Sequence, residues 1–174
     1  MTETITGIIV KGQGDAHKNF KAMIPPIALH FPAVAKCDQF GTINVELDQP
    51  LDKNHADYWT PQVSWSPKTW NVPNRLETFG FTKIKLGVPR GGHMNDAWMI
   101  MPDGNPLSYL GNRVEIISDV WIPDAKYDAA CVIHLDHTPS IPRPDWFGKY
   151  FEQVLNARGI FKDSKGLFLH PFKP

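Results

Sequence analysis

A chain of 174 residues, 42% of them hydrophobic and 21% charged, has the size of one domain that buries roughly 70% of its unfolded surface. Its eighteen basic and eighteen acidic residues cancel, which excludes an overall field drawing it to nucleic acid or to an anionic membrane, so any anionic ligand must be met locally. The opening MTETITGIIVKG has neither the basic start and apolar run of a signal peptide nor the ~20 apolar residues of a membrane span, and the expectation is a cytoplasmic protein.

Thr4 to Gly12 is rich in β-branched residues and runs into Gly-Gln-Gly-Asp, a first strand entering a loop, with Asn19 to Ile24 as its expected partner strand. Pro25 and Pro26 close that segment. The apolar residues Ile27, Leu29, Phe31 and Val34 then leave room for one short helix or turn.

Gly41 to Asp48 alternates Ile43, Val45 and Leu47 with Thr42, Asn44 and Glu46, a period of two that sends one set to the core and the other outward. From Pro50 to Glu77 aromatic residues stand among prolines without a sustained period, an excursion that reads as a lid or flap. In it Trp59, Trp65 and Trp70 either stack on a flat ligand or anchor the excursion to the core.

Phe79 to Val88, Ala97 to Met101, Val114 to Ile117 and Ala129 to Leu135 supply further strands. Trp146, Phe147, Tyr150, Phe151, Val154 and Leu155 recur at helical spacing behind Asp145, which predicts a helix over 145–158. Sixteen prolines and thirteen glycines leave few stretches long enough for other helices, so the base expectation is a barrel or a sandwich. Cys37 and Cys131 have no zinc-like spacing and read as small hydrophobes in a reducing compartment.

Taken in order, the glycine-rich turn GIIVKGQGD, the strand GTINVELD, the segment NDAWMIMP and the strand VEII resemble the landmarks of the archaeal-type CTP-dependent riboflavin kinases, over roughly residues 5 to 136. The resemblance implies a mainly β fold, a single cradle-loop (RIFT-like) barrel over 1–139 carrying the excursion at 50–77. A C-terminal helix and tail over 140–174 would pack on it. It also implies transfer of the terminal phosphate of CTP to riboflavin, giving FMN. Thr42 and Asn44 would hold Mg²⁺, the loop of Gly12, Gln13, Gly14, Asp15, His17 and Lys18 would hold the nucleotide, and Glu115 would orient the acceptor hydroxyl. The chemistry agrees: alternate strand residues offer a hydroxyl and a carbonyl oxygen as hard ligands, and glycine N–H groups can approach phosphate closely.

The same residues have structural readings. GTIN is also a turn followed by an outward polar face, His17 and Lys18 are also solvated loop residues, and Glu115 is also an outward residue of an alternating strand. Ala16 stands where the family has a third glycine, and Ser118 to Asp124, SDVWIPD, carries Asp119 and Asp124 where the family is basic. Two functions follow. One is a riboflavin-kinase-like phosphotransferase acting on a flavin or similar small alcohol with a nucleotide; the other is a non-catalytic member of the fold that binds a ligand or a protein.

Elsewhere, Arg90, Gly91, Gly92 and His93 form a second glycine-rich turn that reads first as a hairpin connection. His134, Asp136 and His137 form a constellation in which a hydrogen-bonded histidine is commoner than a metal ligand. No G-x-x-x-x-G-K-[ST] loop, G-x-S-x-G elbow or C-x-x-C pair occurs.

Overall fold

In the computed structural model, residues 3–12, 16–68, 75–88, 92–102, 112–122, 125–144, 160–163 and 166–169 are described. Strand β1 (Glu3–Val10) leads not into a second strand but into helix α1 (Ala16–Ala28). Phe20, Met23, Ile24 and Ile27 recur at i, i+3, i+4 and i+7 and are all buried, so one apolar face makes this segment a helix and overrides the strand expected at 19–24. The helix also runs through Pro25 and Pro26, which were expected to end the segment. Each lacks an amide hydrogen and costs the helix a bond, but the burial of Ile24 and Ile27 on either side offsets that cost. His30 N and Phe31 N both donate to Ile27 O at 2.9 Å and finish the helix.

Two short 3-10 turns, Pro32–Val34 and Cys37–Gln39, bury Val34 and Cys37 before β2 (Ile43–Leu47). The excursion holds four short strands, β3 (His55–Ala56), β4 (Tyr58–Trp59), β5 (Val63–Trp65) and β6 (Arg75–Glu77). Long strands β7 (Phe79–Gly87) and β8 (Met94–Pro102) follow, then β9 (Arg113–Ile117), β10 (Ala130–Leu135) and β11 (Ile141–Pro142).

Six of these strands close on themselves. The order is β10-β1-β2-β9-β8-β7, every neighbour is antiparallel, and β7 pairs back onto β10 through Val132↔Gly87, Ile133↔Leu86 and His134↔Lys85. Closure leaves no bare edge along the ring, and a barrel this narrow is filled by its own side chains. Val45, Leu47, Ile84, Leu86, Met99, Val114, Ile116 and Ile133 form that filling.

The opposite parity faces outward, yet half of it is also buried. Phe79 and Phe81 of β7, Ile100 of β8 and Ile117 of β9 lie under Phe20, Ile24 and Ile27 of α1 and Val63 and Trp65 of β5. Along β7 the outer positions change from Phe79 and Phe81 to Lys83 and Lys85, and the cover ends where the lysines begin. Phe31 stacks on Tyr58 and on Phe81, each with centroids 4.8 Å apart, and meets Trp98 edge-on at 5.0 Å.

The excursion is tied down through its tryptophans. Trp59 Nε1 donates to Ile141 O at 2.9 Å, and its ring lies so close over Gly80 that a Cβ there would meet it at 2.7 Å. Trp65 Nε1 donates to Glu77 Oε2 at 2.6 Å. Both rings are buried, which makes them anchors; Trp70 lies outside the described residues.

The chain divides into two compact units, Met1–Arg143 and Pro144–Pro174. In the second, β12 (Ile160–Asp163) and β13 (Gly166–Leu169) form an antiparallel hairpin, and the helix expected over 145–158 lies outside the described residues. Among the described residues no helix is long and apolar enough to cross a membrane.

Candidate functional site

Three segments distant in sequence meet around a cavity of ≈ 450 Å³: the end of β1 through Gly12, the entry to β2 from Phe40, and the stretch 118–127 after β9. Antiparallel pairing explains the first two. With Val10 opposite Asn44, the chain leaving β1 at Lys11 and Gly12 runs beside the chain entering β2 at Gly41 and Thr42. Gly41 turns into the strand at φ 76°, a left-handed conformation that costs a residue with a Cβ about 1–2 kcal/mol. Gly41→Ala is therefore expected to lower the melting temperature by a few degrees in a calorimetric scan.

Gly12, Thr42 and Asn44, all named from the sequence, share this cavity wall. A Cβ at position 12 would stand 2.7 Å from Asn44 Nδ2, so the glycine lets the loop backbone rest against the asparagine amide. Asn44 points to the outer face as the alternation implies, yet it is only 5% exposed. Its Oδ1 and the Oγ1 of Thr42 are buried with no hydrogen-bond partner. Of the buried side-chain polar atoms left so among the described residues, these two are the ones on the cavity wall, and an unmade bond at a buried acceptor costs about 1–3 kcal/mol. A hydroxyl and an amide oxygen, with water completing the shell, fit a hard cation such as Mg²⁺.

The third wall is shaped by local bonds. Ser118 Oγ accepts from Val120 N at 3.2 Å and donates to Asp96 O at 3.3 Å. Ala125 N donates to Ile122 O at 3.2 Å, and Asp128 N, at φ 63°, donates to Ile9 O at 2.8 Å. This folding brings Lys126, Trp121 and Tyr127 to the cavity with Lys11 and Phe40, none of which the sequence singled out. Lys11 is adjacent to a motif glycine and so had a signal; Lys126 is brought there by turns that no short motif announces. Asp119 does not line the cavity, and its charge acts instead on Cys37, whose thiol burial pushes up to about 12. Asp124 lies outside the described residues.

Glu115 is opposite Asn44 on one side and Ile100 on the other, but is not part of the cavity wall. Burial pushes its carboxyl up to about 7, the nearby Glu77 charge acts in the same direction, and Lys53 opposes both. Lys53 is itself half-buried, which lowers its pKa, and it donates to Arg113 O. Of the other loop residues, Gln13, Gly14 and Asp15 lie outside the described set, His17 sits in the first turn of α1, and Lys18 is exposed there, away from the wall.

His93 and His134, one from each of the remaining constellations, line a second cavity of ≈ 280 Å³. His137 Nε2 lies 2.8 Å from Asp57 Oδ1, tying the end of β10 to the excursion. Among the described residues no group of three or more His, Cys, Asp or Glu is assembled to hold a metal. β7 and β8 pair up to Gly87↔Met94, so the glycine-rich turn at 90–93 is a hairpin connection, with Gly92 at φ 64° and Arg90 and Gly91 outside the described residues. Comparison with protein-family models and with curated proteins finds no match for this chain.

Proposed function

We propose that the protein is a cytoplasmic phosphotransferase on a cradle-loop (RIFT-like) barrel, moving the terminal phosphoryl group of a nucleotide to a hydroxyl of a flavin-like small alcohol. One observation carries this reading: Gly12, Thr42 and Asn44, picked out by their place in the sequence, meet in one cavity where Thr42 Oγ1 and Asn44 Oδ1 have no protein partner. Thr42 and Asn44 would hold Mg²⁺, which neutralises phosphate charge. Gly12, whose backbone lies open to the cavity, would take the phosphates with Lys11 and Lys126 as cations. The lysines matter because phosphoryl transfer rests on positioning and charge neutralisation, and they supply charge that SDVWIPD lacks. Glu115, with a carboxyl titrating near neutrality, is suited to receive the proton released when the acceptor oxygen bonds to phosphorus.

Titration calorimetry with CTP, ATP and GTP is expected to show Mg²⁺-dependent binding to the wild type and a loss of at least tenfold in Asn44→Ala. Product formation with riboflavin then tests transfer. Binding equally strong without Mg²⁺, or untouched in Asn44→Ala, would sink the kinase reading.

A second reading, a non-catalytic binder on the same barrel, is favoured by the position of Glu115 outside the cavity wall. It predicts ligand binding with no phosphorylated product.

A further inference from the structure

Among the described residues, aromatic side chains are mostly hidden. Phe20, Trp59, Trp65, Phe79 and Phe81 are buried, and Phe31, Tyr58 and Trp98 are packed against the outer core. Three described aromatics are exposed instead: Phe40 at 38%, Trp121 at 64% and Tyr127 at 65%. All three line the cavity whose wall also carries Thr42 and Asn44. Large apolar rings left in water cost free energy, and their concentration at one concave site is the pattern expected of a ligand-binding surface.

Their arrangement suits a flat partner. Phe40 and Trp121 have centroids 6.1 Å apart with planes tilted by 53°, so they are not stacked face to face, and Trp121 stays mostly open to solvent. The floor is polar: Asn44 is 95% buried, and its Oδ1 and Thr42 Oγ1 are the unpartnered oxygens that the proposed reading gives to Mg²⁺, so recognition of a ring falls to the aromatic side chains. Beside the two rings, Ala125 N bonds to Ile122 O and Asp128 N to Ile9 O, which ties the chain next to Trp121 and next to Tyr127.

We infer that Trp121, with Tyr127 and Phe40 beside it, is the specificity-determining surface of this cavity and binds an uncharged planar heteroaromatic ring by stacking. The inference rests on the proposed reading of the cavity as a ligand site. It assigns the stretch after β9 a role as ring platform, while Lys11 and Lys126 serve anionic groups. A flavin and a nucleobase share this chemistry, and the test separates them.

Riboflavin, cytidine and adenosine, which carry rings without phosphate, are titrated into the full chain and into Trp121→Ala and Trp121→Phe, with tripolyphosphate titrated into the wild type as the charge without the ring. Trp121 is exposed, so both variants are expected to keep the wild-type circular dichroism spectrum and melting transition. At least one ring compound is expected to bind the wild type, to weaken roughly ten- to a hundredfold in Trp121→Ala, the range of a lost stacking contact, and to recover most of that in Trp121→Phe. Riboflavin alone responding identifies a flavin ring; a nucleoside alone responding identifies a base. Equal affinity in wild type and Trp121→Ala, or binding of tripolyphosphate with no ring compound binding, overturns the ring platform and leaves the phosphate-binding reading standing. Ring binding lost in Trp121→Ala while tripolyphosphate fails to bind does the reverse. No binding of either kind overturns both.

Discussion

Phe81→Ala is expected to lower the free energy of unfolding by about 3–5 kcal/mol, the usual cost of removing a fully buried phenyl ring and leaving a cavity. Phe81 is 0% exposed and lies in the outer layer between barrel and helix, stacked on Phe31 at 4.8 Å and paired across the sheet with Tyr58 and Ile100. Against a total stability of about 5–15 kcal/mol for a domain, this is about a fifth of the whole or more. Lys83→Ala, two residues along the same strand and on the same face but exposed, should change stability by no more than about 0.5 kcal/mol. Phe81→Leu, which keeps most of the volume, should fall between them. Urea denaturation of the three variants checks the ordering, and a Phe81→Ala loss below about 1 kcal/mol would mean that α1 and β5 do not form a fixed second layer over the barrel.

That second layer is what the sequence concealed. The strands were legible because one face of each fills the barrel, as with Ile43, Val45 and Leu47 of β2 or Ile84 and Leu86 of β7, and alternation survives in the residue order. Helix α1 has an equally regular spacing in Phe20, Met23, Ile24 and Ile27, but Pro25 and Pro26 mark the segment as broken. Tertiary burial won over the local proline penalty. The candidate site divides in the same way. Gly12, Thr42 and Asn44 belong to short motifs, and Thr42 directly precedes, while Asn44 lies within, a strand whose register is fixed by its apolar face. Lys126, Trp121 and Tyr127 reach the cavity through turns near Asp128, a placement that requires the closed barrel to exist first. Of the two acids in SDVWIPD, Asp119 does not line the cavity and its charge is felt at Cys37, while Asp124 lies outside the described residues.

Stability should fall as the pH rises from about 5 to about 8 by an amount traceable to Glu115. Its carboxyl is raised from 4.5 to about 7, first by burial, with Glu77 adding to the rise and Lys53 opposing it. Between these two values the folded protein keeps a proton that the unfolded chain has released. The stabilisation is therefore complete below the unfolded value and is lost as the pH climbs through the folded one. A shift of this size corresponds to about 3 kcal/mol at full development. Glu115→Gln removes the titration while keeping the shape, so its unfolding free energy should approach that of the wild type near pH 5 and exceed it near pH 8. That shift is already net of the Lys53 attraction, so the gain of the variant near pH 8 is at most about 3 kcal/mol. All other titrating groups are common to both proteins, and the difference between their curves isolates this carboxyl. Parallel curves from pH 5 to 8 would show that Glu115 is ionised throughout, which would also remove it as a proton acceptor working near neutrality.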